Sequence, residues 1–389
     1  MTEHNLQDIN LDEYPHINRG LDGIVAFSTT KSFIDGQKGE LIYAGYNIDT
    51  LAKNATFEEV CFLLWHDRLP NQQELKKLKN QLISERSLPE PVLQYIKNTN
   101  KNAEPMAVLR STTSMLADFA PESTGDTEQD NLNHAIAMTA KIPTIVAAFD
   151  RIRNAKEIIE PLDGKSTAYN FLYMLNGTEP GEQAEKTMDL CLILHAEHGM
   201  NASTFTCRSI CSTQSDMYSG VTGAIGALKG PLHGGANTAV MNMLLNLDKK
   251  GDNADAVAFT KGKLTRKEKI MGFGHRVYKT FDPRAFHLRK ISKSLSEETG
   301  HTTLYEWSEA ILKTMKEEKN IDPNVDFFSA TVYYSIGIRP DLYTCIFSMS
   351  RVSGWTAHFL EQSANNRLIR PRALYIGEKN KNWIPVEER

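Results

Sequence analysis

The sequence predicts a mostly α-helical protein, and three observations carry this. Capping signatures recur ahead of apolar stripes at helical spacing. Strand-like composition is confined to one short stretch near the N-terminus. Strands and helices do not alternate along the chain, which argues against a parallel α/β sheet.

Taken in order, residues 24–43 hold β-branched and aromatic residues around Asp35-Gly36 and Lys38-Gly39, the pattern of a minor N-terminal β hairpin. Thr56-Phe57-Glu58-Glu59 reads as a capping box, opening a helix with Val60, Leu63 and Leu64 on one face. Asn71 and Glu74 begin the next helix, with Leu75, Leu78 and Leu82 as its stripe. Segments 106–119, 132–142, 144–152 and 168–175 show the same period, and Pro143 is expected to kink or break the long stretch around it. Residues 122–130 and 248–255 read as surface loops. Gly220, Gly223, Ala224, Gly226, Ala227 and Gly230 fall on one predicted helix. Each glycine there costs ~1 kcal/mol against alanine. Such a run points to close backbone approach, either inside one subunit or across a two-fold interface.

Composition narrows the function. The chain has 389 residues, 41% apolar and 24% charged, ordinary for a soluble globular protein and long enough to enclose a substrate. Its length suggests two or three domains. With Gly 24 and Pro 15 it is neither collagen-like nor low-complexity. A net charge of −4 leaves no basic footprint for nucleic acid. No apolar run approaches the ~18 residues that span a bilayer. The acidic, polar start does not read as a secretory signal. The five cysteines (61, 191, 207, 211, 345) are scattered without Cys-x-x-Cys, which favours a reducing compartment. A cytoplasmic protein without nucleic-acid or membrane partners is therefore expected.

Four polar clusters interrupt the apolar pattern. His195-Ala-Glu197-His198-Gly-Met-Asn201-Ala-Ser203 follows a strong helix. Its histidines share a face, but the spacing matches neither zinc-protease motif and no third ligand lies nearby, so no metal is expected. By periodicity alone, these are histidines satisfying core or interface hydrogen bonds. Gly230-Pro-Leu-His233-Gly-Gly-Ala-Asn237 precedes the apolar run 240–245. A helix starting here would hold His233 near its positive end, keeping the ring neutral and able to donate to an oxyanion; otherwise this is a turn with an incidental histidine. The third cluster, 271–284, pairs two glycines with cations at 276, 279 and 284. It suits anion binding, or is simply a solvated basic turn. In Asn324-Val-Asp326-Phe-Phe-Ser329 a carboxylate lies between apolar neighbours. It is either a base strengthened by desolvation or a helix N-cap. Arg351, Arg367, Arg370 and Arg372 follow.

In this order and spacing the strings are specific. Thr-Phe-Glu-Glu-Val (56–60), Asn-Phe-Leu-Tyr-Met-Leu (170–175), His-Ala-Glu-His (195–198), Gly-Pro-Leu-His-Gly-Gly-Ala-Asn (230–237), Gly-Phe-Gly-His-Arg-Val-Tyr-Lys (272–279) with Asp-Pro-Arg (282–284), Asn-Val-Asp-Phe-Phe-Ser (324–329), Gly-Trp-Thr-Ala-His (354–358) and Asn-Arg-Leu-Ile-Arg-Pro-Arg (366–372) resemble the citrate synthase family in its short bacterial and archaeal form. The resemblance runs from near residue 20 to the C-terminus.

The resemblance implies a nearly all-α, two-domain fold: a large domain from residues 1–234 and 335–389, with 235–334 inserted as a small domain that closes over substrates. It implies a homodimer whose intersubunit helices include the small-residue segment. It implies condensation of acetyl-CoA with oxaloacetate, then hydrolysis of citryl-CoA to citrate and CoA, with acetyl-CoA as cosubstrate and no other cofactor. By the same resemblance Asp326 is the base, His233 stabilises the enolate, and His275 polarises the ketone. His198, Arg284 and Arg351 bind oxaloacetate, Arg370 arrives from the partner subunit, and Asn201 and Ser203 are substrate-binding or supporting positions. Gly272, Phe273, Gly274, Arg276 and Lys279 fall on the CoA loop. Ala44, Glu104 and Phe281 depart from residues common in the family, which touches the details of CoA binding. The nearest alternative is a 2-methylcitrate synthase using propionyl-CoA. A catalytically silent helical dimer would be expected to have lost one of Asp326, His233 and His275.

Overall fold

The structure, a computed structural model, describes residues 17–21, 23–249 and 255–389. A small antiparallel sheet opens it. Strand β1 (Ser32–Asp35) pairs with β2 (Glu40–Tyr43), Ser32 opposite Tyr43 and Asp35 opposite Glu40, and β2 pairs with β3 (Tyr46–Asn47). The Asp35 carboxylate accepts from the Gln37 and Lys38 N–H groups, closing the turn between β1 and β2. The expected hairpin is thus present with a third strand added.

Sixteen α-helices follow among the described residues, and beyond the last of them residues 365–385 form neither helix nor strand. The first nine are α1 (Ile48–Asn54), α2 (Phe57–His66), α3 (Gln72–Glu85), α4 (Glu90–Asn98), α5 (Pro105–Met115), α6 (Thr127–Arg153), α7 (Thr167–Asn176), α8 (Glu182–His195) and α9 (Ala202–Cys211). Then come α10 (Met217–Lys229), α11 (Ala236–Asp248), α12 (Ala256–Thr265), α13 (Pro283–Thr299), α14 (Thr302–Lys319), α15 (Val325–Ser335) and α16 (Tyr343–Ala364). Both capping boxes form: Thr56 with Glu59 starts α2, and Asn71 with Glu74 starts α3.

The core is built on α16 and α6. Helix α16 is buried from Tyr343 to Phe359 and packs against α2, α6, α8, α9 and α10. Helix α6 runs unbroken through Pro143 for 27 residues, so the expected break does not occur. A mid-helix proline costs ~3 kcal/mol. Here every residue from 135 to 151 is buried, against α3, α5, α7 and α16 among others, and that packing outweighs the penalty. By length and composition α6 could cross a membrane, but 83% of its most apolar window is buried within the protein, which accounts for its character. The expected 122–130 loop is shorter than read: Asp126 caps α6 and the helix begins at Thr127. Most of the expected 248–255 loop, residues 250–254, lies outside the described residues.

Close approach inside the chain explains two of the α10 glycines. A Cβ on Gly220 would meet Phe359 at 3.0 Å and Cys207 at 3.2 Å, and one on Gly223 would meet Ile210 at 2.4 Å. Gly226 has no such neighbour, its nearest being Arg110 at 3.7 Å. Helices α11 to α15 pack chiefly on one another, and touch the remainder through α1, α8 and α16 among others.

Candidate active site

Four segments converge. The first is the turn from α8 into α9. His195 ends α8, fully buried, with Nδ1 on the Cys191 carbonyl at 2.8 Å. Burial, helped by the nearby Arg284 charge, keeps its ring neutral, with a pKa pushed down to about 3. His198 Nε2 meets the Tyr278 hydroxyl at 3.2 Å. Burial and the Arg284 charge push its pKa well below the usual histidine range too. Between them Glu197, fully buried, accepts through Oε1 from the Gly199 N–H (2.5 Å), Ser32 Oγ (3.0 Å) and His358 Nε2 (3.1 Å). Asn201 caps α9 through the Thr204 N–H.

His233 enters from the turn before α11. Its Nε2 lies 2.8 Å from Ser203 Oγ and 3.3 Å from the Ser203 backbone N–H. A backbone N–H only donates, so it marks Nε2 as acceptor and leaves the proton of the neutral ring on Nδ1. Burial, then the Arg351 charge, push the pKa down to about 4. A helix does begin just after His233, at Ala236, and the backbone N–H bonded to the ring comes from the first turn of α9. Ser203 Oγ also accepts from Trp355 Nε1 at 3.0 Å and lies 2.7 Å from Asn201 Oδ1.

The third segment is the 271–284 loop. Gly272 has φ +80°, and a Cβ there would stand 2.7 Å from Val240 and 2.9 Å from Phe327. Its carbonyl accepts from the Asn324 N–H at 2.9 Å, and the Gly274 carbonyl from Asn324 Nδ2 at 3.0 Å. Phe273 stacks edge-on against Phe327. His275 Nδ1 accepts from the Val277 and Tyr278 N–H groups at 3.0 and 3.1 Å, which puts the ring proton on Nε2. Burial lowers its pKa to about 4, with Arg284 assisting. The His198 and His275 rings meet at 5.1 Å. Buried Asp282 caps α13 and grips buried Arg284 in a bidentate pair (3.0 and 2.8 Å). Burial opposes the Arg284 charge, but Asp282 more than offsets it.

Helices α15 and α16 supply the fourth group. Asn324, not Asp326, is the N-cap of α15. Among the described residues the Asp326 carboxylate has no side-chain hydrogen-bond partner. Burial raises its pKa to about 6, Arg284 opposing. Buried Arg351 donates from Nε to the His195 carbonyl at 2.6 Å and lies 4.6 Å from the centre of the Phe347 ring. Burial lowers its pKa to about 10, so it stays charged at neutral pH. Arg351 acts electrostatically on His198, His233 and Asp326, and Arg284 on His198, His275 and Asp326, which ties these groups into one site. A neutral-histidine pair with assigned protons, an unpartnered base and two fixed guanidinium groups suit proton abstraction beside a carbonyl, with anion binding.

The family model "Citrate synthase, C-terminal domain" matches residues 20–372. The chain belongs to the citrate synthase family. It is 50% identical over 373 residues to Citrate synthase 2 of Bacillus subtilis, covering 95% of this chain and 99% of that one. It is 41% identical over 370 residues to Citrate/2-methylcitrate synthase of the same organism, covering 95% and 99%. Among solved structures, the citrate synthase of Thermoplasma acidophilum, in ternary complex with carboxymethyl coenzyme A and oxaloacetate, superposes with TM-score 0.89 at 33% identity, covering 96% and 99%. As a citrate synthase family member the chain is an acyl-transferring enzyme with a mostly α fold.

Within this family fold, His198, His233, His275, Asp326, Arg284 and Arg351 come together, while the Asn201 and Ser203 hydrogen bonds run to protein groups. Arg276 and Lys279 are exposed on the same loop. Arg370 does not join them: it borders a groove of about 650 Å³ with Phe27, Arg208, Glu361 and Leu368, and none of the three catalytic candidates lines that groove. Sequence reasoning assigned no role to Tyr278, Asp282, Glu197 or Trp355. Only Asp282 had a local signal, an Asp-Pro helix start two residues before the arginine it holds.

Proposed function

We propose that this protein condenses acetyl-CoA with oxaloacetate and hydrolyses the resulting citryl-CoA to citrate and CoA. The observation that carries the reading is the Asp326 carboxylate, unpartnered and raised to about 6, in one electrostatic site with two neutral histidines. Asp326 takes a proton from the acetyl methyl group. His233 donates its Nδ1 proton in a hydrogen bond to the thioester oxygen as it becomes enolate-like. A thioester methyl is a very weak acid, and loss of one such donor typically costs about 100–1,000-fold. The methyl carbon attacks the oxaloacetate ketone, whose oxygen takes up a proton from His275 Nε2. Arg284, Arg351 and His198 hold the oxaloacetate carboxylates, and Asn201 and Ser203 hold His233 and its surroundings in place. Gly272, Phe273, Gly274, Arg276 and Lys279 receive CoA.

In this reading residues 235–334 form the small domain, and its closure excludes water until citryl-CoA has formed. The protein acts in the cytoplasm as a homodimer, with α10 at the interface and Arg370 completing the partner's site. The exposed Arg370, and the lack of any tight neighbour around Gly226 among the described residues, support that arrangement.

The test is CoA release from acetyl-CoA with and without oxaloacetate. Oxaloacetate-dependent release is expected, and its absence overturns the reading. A second reading, 2-methylcitrate synthesis, is favoured by the relative whose name covers both products. One methylene is worth only ~1–3 kcal/mol of discrimination. Propionyl-CoA is therefore expected to react more slowly, and a preference for it would reassign the acyl substrate without moving the site.

A further inference from the structure

The N-terminal sheet touches both histidine loops at once. At its root, Ser32 Oγ donates to Glu197 Oε1 at 3.0 Å. The Tyr43 hydroxyl lies 3.3 Å from both the Leu194 carbonyl and the Glu197 N–H. Ile34 fills the space in which a Gly199 side chain would grow, 3.3 Å from a Cβ there. These contacts all fall on residues 194–199, beside His198.

At its tip the sheet meets the other loop, backbone to backbone. The Lys279 N–H donates to the Gly36 carbonyl at 2.8 Å. A Cβ on Gly36 would stand 2.2 Å from the Val277 carbonyl oxygen, and one on Gly39 would stand 2.9 Å from that of Phe281. The tip thus rests on 277–281, between His275 and Arg284. Gly39 has φ +69°, so its glycine is needed for the backbone as well. Gly36 lies outside the left-handed region, so only the contact requires its glycine. The neighbouring Gln37 and Lys38 are exposed.

We propose that this sheet is a positioning element for the condensation, with Gly36 as its positioning residue. It sets the spacing between the loop that carries His198 and the loop that carries His275 and Arg284. The sheet suits this as a short rigid gauge: β1 and β2 are paired along four residues, Leu41 and Tyr43 are fully buried, and Asp35 locks the turn. The inference rests on the proposed citrate synthase reaction.

A methyl at Gly36 falls roughly 1 Å short of the C···O contact distance of about 3.3 Å. Either the tip or the loop must yield. A shift of ~1 Å at a catalytic group costs about 100-fold. The experiment compares the wild type, Gly36→Ala, Gly36→Val and Gln37→Ala by oxaloacetate-dependent CoA release and thermal melting. In Gly36→Ala and more so in Gly36→Val, kcat per folded molecule is expected to fall and the oxaloacetate KM to rise. Together these lower kcat/KM about 100-fold in the molecules that remain folded, alongside whatever the backbone contact costs in melting temperature. Gln37→Ala is expected to match wild type. A merely structural role would lower the melting temperature and leave kcat and KM of the folded enzyme unchanged. A folded Gly36→Val with wild-type kcat and KM overturns the proposal. Should Gly36→Val fail to fold, one glycine inserted between Gln37 and Lys38 lifts the tip, and wild-type kinetics there overturn it equally. A wild type without oxaloacetate-dependent release fails the reaction itself, and this inference with it.

Discussion

The two histidine loops are held in opposite ways. Residues 195–203 are fixed by buried side chains: Glu197 gathers three donors from three segments, Asn201 caps α9, and Arg351 reaches the His195 carbonyl. Residues 271–284 are fixed largely by main chain, through Gly272 and Gly274 against 322–324 and through Lys279 against Gly36. The first loop depends on charge and hydrogen-bond chemistry; the second adds, to its buried Asp282–Arg284 pair, close main-chain contacts that only glycine permits. The difference matches their expected tasks. Oxaloacetate needs a fixed electrostatic frame, which the second loop shares through His275 and Arg284, while its glycines at 272 and 274 also let backbone pass close to CoA.

Asp326 belongs to neither loop and sets the upper limit. Asp326→Asn is expected to lower kcat about 1,000-fold with the melting temperature nearly unchanged, measured by CoA release and calorimetry. A small loss there would make the loops themselves the dominant catalytic element. Glu197→Ala attacks the charge-held loop. It strands His358 in a buried site and should cost about 3 kcal/mol of stability, read from denaturant unfolding. Gly272→Ala attacks the backbone-held loop. At φ +80° and with Val240 and Phe327 in the way, it should cost about 2 kcal/mol and raise the acetyl-CoA KM more than the oxaloacetate KM. Equal effects of Gly272→Ala on both KM values would break the contrast.

A weaker perturbation is pH. Asp326 works as the carboxylate, so activity falls as pH drops through its value near 6. His233 and His275 work neutral and stay so down to about 4. The acid limb of kcat/KM is therefore expected near pH 6 with a slope of one, and Gln37→Ala should leave it in place. The smallest effect is expected from thiol reagents. All five cysteines are buried, and burial pushes their thiols up. Short exposure of native enzyme should leave activity intact.

What the sequence revealed was what its neighbours decide. The Thr56–Glu59 and Asn71–Glu74 boxes close over three residues, and both form. Pro143 does not end its helix because its penalty is local while the burial that offsets it comes from distant helices. His233 sits just ahead of the helix read from its sequence, but the backbone N–H bonded to its ring comes from Ser203, thirty residues earlier, which no local string shows. The pairing of Tyr278 with His198 and of Gly36 with Val277 likewise spans segments that only folding brings together. The family strings pointed to the groups proposed to react. They carried no trace of which nitrogen of each ring bears its proton, because that is set by backbone N–H groups common to every residue type but proline.

The indole of Trp355 donates to Ser203 Oγ, which touches His233 Nε2. The chromophore is thus two hydrogen bonds from the His233 ring. Among the described residues, Trp355 is the tryptophan hydrogen-bonded to this chain of candidate site groups, whereas Trp65 donates to Thr356. The emission of Trp355 is expected to shift when the site fills, so binding can be followed without a label and before any bond has changed.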